Sequence, residues 1–240
     1  MTQRPTWMIL IPTVPARSAS FQLLLHRLLP QLEYGAGWVQ VCGWLNVGQP
    51  RLAEIRDALL EHAERSGAEY VSFIDDDDMV PDYYVPEIMD AIAAHFGTHD
   101  VYPDHIGFQL EYWKDGEFRS IVEHSLKHQR WGHHSERVNG ERRLTLWRHF
   151  THVDPIRTEL ARKGRFARAG LHQPEDRNWV RQVTPYVRTE VYIPRVMYQY
   201  FWTPSASTWD GPEKLAALGA GPISRPAIES EHFHWHPSSL

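Results

Sequence analysis

The chain has 240 residues, a net charge of -5 and one cysteine, Cys42, in the apolar stretch Trp38–Cys42. That length suits one large domain, and a hydrophobic content of 42% is too high for a disordered chain. A lone cysteine excludes an intrachain disulfide and reads as a core residue. No apolar run is long enough to span a bilayer, and Trp7–Ile11, stopped by Pro12, is too short for a signal peptide, so a cytoplasmic protein is expected.

Charge is unevenly spread. Residues 1–126 hold 8 Lys/Arg against 19 Asp/Glu, whereas residues 127–168 hold 11 against 4, with five histidines as well. A basic block beside an acidic half could grip a polyanion such as a nucleotide diphosphate or a nucleic acid. A solvated face explains it equally well. Ten Trp and ten Tyr supply either core or stacking surface.

In chain order, Trp7–Ile11 predicts a first buried strand. Phe21, Leu24, Leu25, Leu28, Leu29 and Leu32 recur at helical spacing and predict a helix over about 20–32. Trp38–Leu45 predicts a second strand, and Leu52 to about Ser66 a helix with Ile55, Leu59, Leu60 and Ala63 as its inner stripe, capped by Gly67. Tyr70–Ile74 predicts a third strand and Tyr83–Phe96 a helix broken by Gly97. This β-α-β-α-β-α order is the signature of a parallel sheet flanked by helices. Short strands are expected at Asp100–Tyr102 and Ile106–Tyr112, with a hairpin turn at Lys114–Glu117. The stretch 127–150 reads as an irregular insertion, Asp154–Lys163 as a helix ended by Gly164, Glu175–Val183 as another helix and Thr189–Pro194 as a strand. The last 35 residues, rich in Pro, Gly and Ser, are expected to wrap over the surface.

Four consecutive aspartates, Asp75–Asp78, follow the third predicted strand and precede Met79-Val80-Pro81. Adjacent carboxylates repel, so the cluster needs a cation or hydrogen-bond donors. Ligands in open α/β sheets bind beyond the carboxyl ends of strands, and hard oxygen ligands there suit Mg2+ or Mn2+ holding a diphosphate. A calcium loop starting at Asp75 would need Gly at Val80 and Glu at Pro86. An aspartyl-phosphate phosphatase would need Thr or Val at Met79, and no Walker A sequence is present.

With these flanks the chain resembles the GT-A-fold glycosyltransferases of the large family-2-like group. The resemblance rests on Ile9-Leu10-Ile11-Pro12-Thr13, on Ile55–Leu60 leading to Tyr70–Pro81, on Gln173-Pro174-Glu175-Asp176-Arg177-Asn178-Trp179 and on Met197–Trp202 before Ser205-Ala206-Ser207. The four pieces, in this order, cover about residues 7–207. Two departures stand out: Arg56-Asp57 where the family often has Arg-Asn, and Val14-Pro15-Ala16-Arg17 after Pro12.

The resemblance implies one GT-A domain over 1–240: a nucleotide-sugar half at 1–105, an acceptor-side half at 106–207 and a tail at 208–240. It implies a metal-dependent, inverting transfer from a nucleotide-diphosphate sugar, UDP by default, to a hydroxyl. Thr13, Arg17, Arg56, Asp75 and Asp76 are the implied donor contacts, and Asp77 and Asp75 the ligands of Mn2+ or Mg2+. His234, within His232-Phe233-His234-Trp235-His236, is a candidate further ligand. An acidic first turn is an ordinary helix start, but the resemblance points to Asp176 as the base, with Glu175 as substitute. Trp179 and His152 are acceptor-side candidates. Phage enzymes that decorate modified bases make DNA, gripped along 127–168, one acceptor to consider; a glycan, lipid-linked precursor or protein is equally compatible. The rivals are a nucleotidyltransferase, disfavoured by the poor phosphate loop Pro12-Thr13-Val14-Pro15, and a non-enzymatic carbohydrate- or nucleic-acid-binding module, which needs no acid cluster.

Overall fold

The structure, a computed structural model, describes residues 5–35, 37–47, 51–128, 132–138, 141–167 and 175–202. The tail after Trp202 and its histidines, including His234, lie outside the described residues.

The first strand, β1 (Trp7–Thr13), is buried along its whole length because it has helices on both sides. Trp7, Ile9 and Ile11 point into one core and Met8 and Leu10 into the other, the period-2 alternation of a strand used on both faces. The first core is closed by α1 (Ser18–Leu28) and α3 (Tyr84–His99), the second by α2 (Leu52–Arg65), α4 (Thr158–Ala161) and α5 (Glu175–Val183). The inner stripe of α2 is the expected one: Ile55, Leu59, Leu60 and Ala63. β2 (Val39–Leu45) and β3 (Tyr70–Phe73) run parallel to β1 on either side, which brings their carboxyl ends to one edge.

The sheet continues through β8 (Ile156–Arg157), β4 (His105–Lys114), β5 (Glu117–His124), β7 (Glu141–Arg148) and β6 (Gly132–Val138), in the order β2-β1-β3-β8-β4-β5-β7-β6. A ninth strand, β9 (Glu190–Trp202), runs parallel to β4. The result is the expected α/β architecture, a sheet flanked by helices. The β4–β5 hairpin turns at Asp115 and Gly116, both at positive φ (54° and 77°), as a two-residue turn with this twist requires.

Several elements depart from the sequence reading. α1 stops at Leu28 and continues as a 3-10 turn over Leu29–Glu33, because Pro30 cannot donate into the ladder. Gly97 does not end α3; the helix reaches His99, where Asp100 takes a left-handed cap (φ 56°), so no strand forms at 100–102. The stretch 127–150 contains the antiparallel pair β6–β7; its polar residues hid the period-2 signal. Of the helix expected over Asp154–Lys163, only α4 (Thr158–Ala161) forms. Backbone groups of Pro155, Arg157 and Thr158 are taken by Ile106, Asp104 and Glu69, which pulls the segment into the sheet before the short α4. Thr189–Pro194 and the Tyr-rich stretch join as one strand, with a register shift after Phe108↔Ile193 that accommodates Pro194. Cys42 is half-buried against the second core.

Gly107 and Gly97 give opposite expectations for one substitution. A Cβ at Gly107 would lie 2.6 Å from the His124 carbonyl oxygen and 2.5 Å from Glu190 Oε1, whereas at Gly97 nothing lies within 4 Å. Gly107→Ala should lose about 1–3 kcal/mol through overpacking, while Gly97→Ala should gain about 0.5–1 kcal/mol of helix stability. Thermal denaturation of the two variants checks this: the midpoints should move in opposite directions.

Candidate active site

The aspartate run is the turn that leaves β3. The Ile74 N–H still donates to the Leu10 carbonyl (3.0 Å), and the Asp78 N–H donates back to the Asp75 carbonyl (3.0 Å). Met79 then exchanges two hydrogen bonds with Gln199 of β9 (3.1 and 2.8 Å). The turn is thus clamped between β1 and β9. The four carboxylates are not equivalent. Asp78, 1% exposed, accepts from the Tyr198 hydroxyl (2.8 Å) and from the Phe201 N–H (2.8 Å). The same hydroxyl accepts the Asp75 N–H (3.1 Å). Burial, with Asp78 and Asp75 nearby, keeps the Tyr198 phenol protonated, as this donor role needs. Asp78 therefore holds the turn.

Arg17, just beyond β1, reaches Asp76 Oδ1 (2.7 Å) and Asp77 Oδ2 (3.2 Å). Burial of Asp76 outweighs Arg17 and pushes its carboxyl up to about 6. Thr13, 5% exposed at the end of β1, adjoins Asp76 and draws its carboxyl in the other direction.

Arg56 projects from α2 and is 2% exposed. One guanidinium nitrogen meets Asp75 Oδ1 (2.5 Å) and another Glu175 Oε1 (2.8 Å), joining the β3 turn to the start of α5. The guanidinium lies 5.9 Å from the Phe73 ring and 5.8 Å from that of Phe166. His152 Nε2 stands 3.4 Å from the other Asp75 oxygen. Burial alone would raise the Asp75 carboxyl, but Arg56 and then His152 hold it well below the usual carboxylate range. His152, expected on the acceptor side, thus touches Asp75 of the aspartate run. Its turn is fixed by Asp154, fully buried, which accepts from the Thr151 N–H (2.6 Å) and meets His124 Nδ1 at 2.8 Å.

The structure brings Asp75, Asp76, Asp77, Thr13, Arg17, Arg56, Glu175 and His152 together. Asp176 follows Glu175 on α5; its Oδ1 accepts the Arg177 N–H (2.7 Å), and its charge is felt by Arg56 and by Arg148 at the end of β7. Trp179 is a correction. It is 1% exposed, stacked on Phe166 (5.1 Å) and hydrogen-bonded through Nε1 to the Ala161 carbonyl (3.0 Å), so no ring face is left for an acceptor. Tyr200, in contrast, is 39% exposed, stacked on Tyr112 (5.8 Å) and within the field of Asp78, Asp75 and Asp77. The sequence reading singled out neither Tyr200 nor Tyr198 individually; their positions in the Tyr-rich closing stretch were the available signal.

Within the basic stretch, several of the described arginines are ion-paired. Arg162 and Arg165 pair with Glu61 and Glu64 of α2, and Arg157 with Glu159. His133 and His134 are exposed on β6, as a solvated reading expects.

No helix among the described residues is long and apolar enough to cross a membrane. No protein-family model matches the chain, and no curated protein does. Solved structures do. TarS 1-349 from S. aureus in complex with UDP-GlcNAc superimposes with a TM-score of 0.53 at 14% identity, covering 89% of this chain and 64% of that one. A second structure of TarS 1-349 gives 0.52 at 16%, over 82% and 60%. The longer TarS structure gives 0.51 at 15%, over 89% and 38%. The chain therefore spans less than two thirds of the length of these structures, and the likeness is one of fold.

The raised Asp76 carboxyl has a pH signature. Its folded pKa of about 6 lies above the ordinary 3.8, so the folded chain keeps this proton longer as pH rises. Stability should fall between about pH 4 and 6 and level off above. Asp75, with its carboxyl depressed, acts oppositely: its contribution is present at neutral pH and lost as pH falls below the ordinary carboxylate range. Urea denaturation of the wild type and Asp76→Asn across pH 4–7 should show the falling slope in the wild type and a flatter one in the variant.

Proposed function

We propose that the protein is a metal-dependent, inverting glycosyltransferase that moves a sugar from a UDP-sugar to an acceptor hydroxyl. The observation that supports this most is the placement of Asp75 and Asp77 at the carboxyl end of β3, in a fold shared with a protein crystallised with UDP-GlcNAc. Four carboxylates (Asp75, Asp76, Asp77 and Glu175) meet two guanidiniums (Arg17 and Arg56), so the site is suited to a further cation.

The carboxylates fit a hard divalent ion. Asp75 and Asp77 keep side-chain exposures of 23% and 13%, whereas Asp76 is at 3% and Asp78 is committed to Tyr198 and Phe201. Among the described residues no three His, Cys, Asp or Glu side chains converge as a metal group. Mg2+ is commonly held by one or two carboxylates plus substrate phosphates, so two suffice. Asp77 and Asp75 would hold Mn2+ or Mg2+, with His234 as the further candidate from the tail. The bound ion would supply charge neutralisation to the departing diphosphate.

Arg17 and Arg56 would meet phosphate and ribose oxygens as the donor competes for the aspartates. Glu175 is occupied by Arg56, which leaves Asp176 as the base. Its carboxylate takes the acceptor hydroxyl proton while that oxygen bonds to the anomeric carbon and the carbon–oxygen bond to the nucleotide diphosphate breaks on the opposite face.

Turnover of a UDP-sugar panel with Mn2+ tests the reading. Asp77→Asn should abolish metal-dependent donor hydrolysis. Asp176→Asn should leave UDP affinity intact and lower transfer by about 100-fold or more. If no sugar nucleotide is hydrolysed or raises the thermal midpoint with Mn2+, the transferase reading fails; if Asp176→Asn loses UDP binding, its assignment as base fails.

A further inference from the structure

Beyond the aspartate turn, β9 carries a row of aromatic side chains. From Leu110↔Tyr198 to Lys114↔Trp202 its pairing with β4 is unbroken, so Tyr198, Tyr200 and Trp202 share one face at about 6.6 Å per step. Phe201, on the other face, stacks on Trp113 (5.9 Å). Tyr198 is committed to the turn through its hydroxyl. The Lys114 ammonium lies 4.7 Å from the Trp202 ring centroid, so that ring already holds a cation. Tyr200, between them, is 39% exposed, and Tyr112 covers one of its faces (5.8 Å, 21° between the rings). Its hydroxyl has no hydrogen-bond partner among the described residues. Burial first, then Asp78, Asp75 and Asp77, raise its phenol pKa, so the hydroxyl stays a donor. Arg148, at the end of β7, feels both Tyr200 and Asp176. The ring therefore shares one electrostatic neighbourhood with the aspartate turn and the start of α5.

We infer that Tyr200 is a stacking platform for a pyranose ring of the acceptor, which lies on the face away from Tyr112 and accepts a hydrogen bond from the phenol. The inference rests on the transferase reading and adds a specificity-determining residue to it. A pyranose offers an apolar C–H face inside a rim of hydroxyls, the complement of an exposed aromatic ring with a free donor at its tip. Charge selects a neutral ligand here. The row lies in the field of three carboxylates, and the cations around it are engaged: Lys114 over Trp202, Arg119 on Glu117 (2.8 Å), and Arg148 offset by Asp176 and Asp154. A neutral polyol ring meets that field without repulsion, whereas the phosphates of a nucleic acid meet it with like charge. Tyr200 thus takes the stacking role for which Trp179 was the sequence candidate.

Saturation-transfer NMR of the full chain tests the inference, with methyl glucoside, methyl galactoside and methyl N-acetylglucosaminide as probes, each with and without UDP and Mn2+. The proteins compared are the wild type, Tyr200→Phe and Tyr200→Ala. At least one pyranoside should bind the wild type, with saturation strongest on the C–H protons of one ring face. Tyr200→Ala should weaken that binding by about tenfold. Tyr200→Phe, which keeps the ring and loses only the donor, should weaken it by about threefold. In transfer assays with the same pyranoside, Tyr200→Ala should raise KM far more than it lowers kcat. Absence of pyranoside binding to the wild type, or equal affinity in the wild type and Tyr200→Ala, overturns the platform. A single-stranded oligonucleotide that binds the wild type but not Tyr200→Ala, while no pyranoside binds, overturns it in favour of a nucleobase. UDP-sugar hydrolysis by the wild type is measured in parallel: its absence with pyranoside binding intact counts against the transferase reading, and its presence without pyranoside binding counts against the platform.

Discussion

The site depends on one buried cation. Arg56 has almost no exposed surface, and its guanidinium ties Asp75 at the end of β3 to Glu175 at the start of α5. Removing one partner from a buried pair typically costs about 3–5 kcal/mol, because the remaining charge is stranded. Arg56 therefore fixes the distance between the proposed leaving-group side and the proposed base side. Its place follows from α2, whose Ile55, Leu59 and Leu60 lock the helix onto the second core. Neighbouring Asp57 accepts the N–H groups of Phe166 and Ala167 (2.9 and 3.0 Å) and steadies the chain as it leaves α4.

The aspartate turn resolves its own repulsion by dividing labour. Asp78 accepts from Tyr198 and Phe201, Asp76 meets Arg17 through one oxygen only, and Asp75 meets Arg56 and His152. Each solution comes from a different element: β9, the turn after β1, α2, and the turn locked by Asp154. The cluster is thus a junction of the whole sheet. On the proposed reading, a metal-diphosphate would take over the charge that the two arginines now share with the carboxylates.

Much of this was legible in the sequence. The apolar runs of β1 and β3 and the stripe of α2 follow from period and burial, and the acids after Ile74 mark a strand end. Arg17, Arg56 and Glu175 gather around them through ion pairs that only the fold brings about. Trp179 was misread because an indole three residues from a candidate base looks like a stacking surface; only the packing of Phe166 and Phe150 makes it core. The β6–β7 pair was hidden because both its faces carry polar residues, so no alternation marks it. Pro155, at an apparent helix start, leads into β8 instead because backbone partners on Asp104, Ile106 and Glu69 outweighed local preference.

The most direct measurement of the central claim is a crystal structure with Mn2+ and UDP bound. The account predicts the diphosphate at the carboxyl ends of β1 and β3, the ion on Asp77 and Asp75, and Arg17 or Arg56 turned from its carboxylate towards a phosphate oxygen. A nucleotide bound away from Asp75 and Asp77, or an ion that leaves both carboxylates untouched, would contradict it.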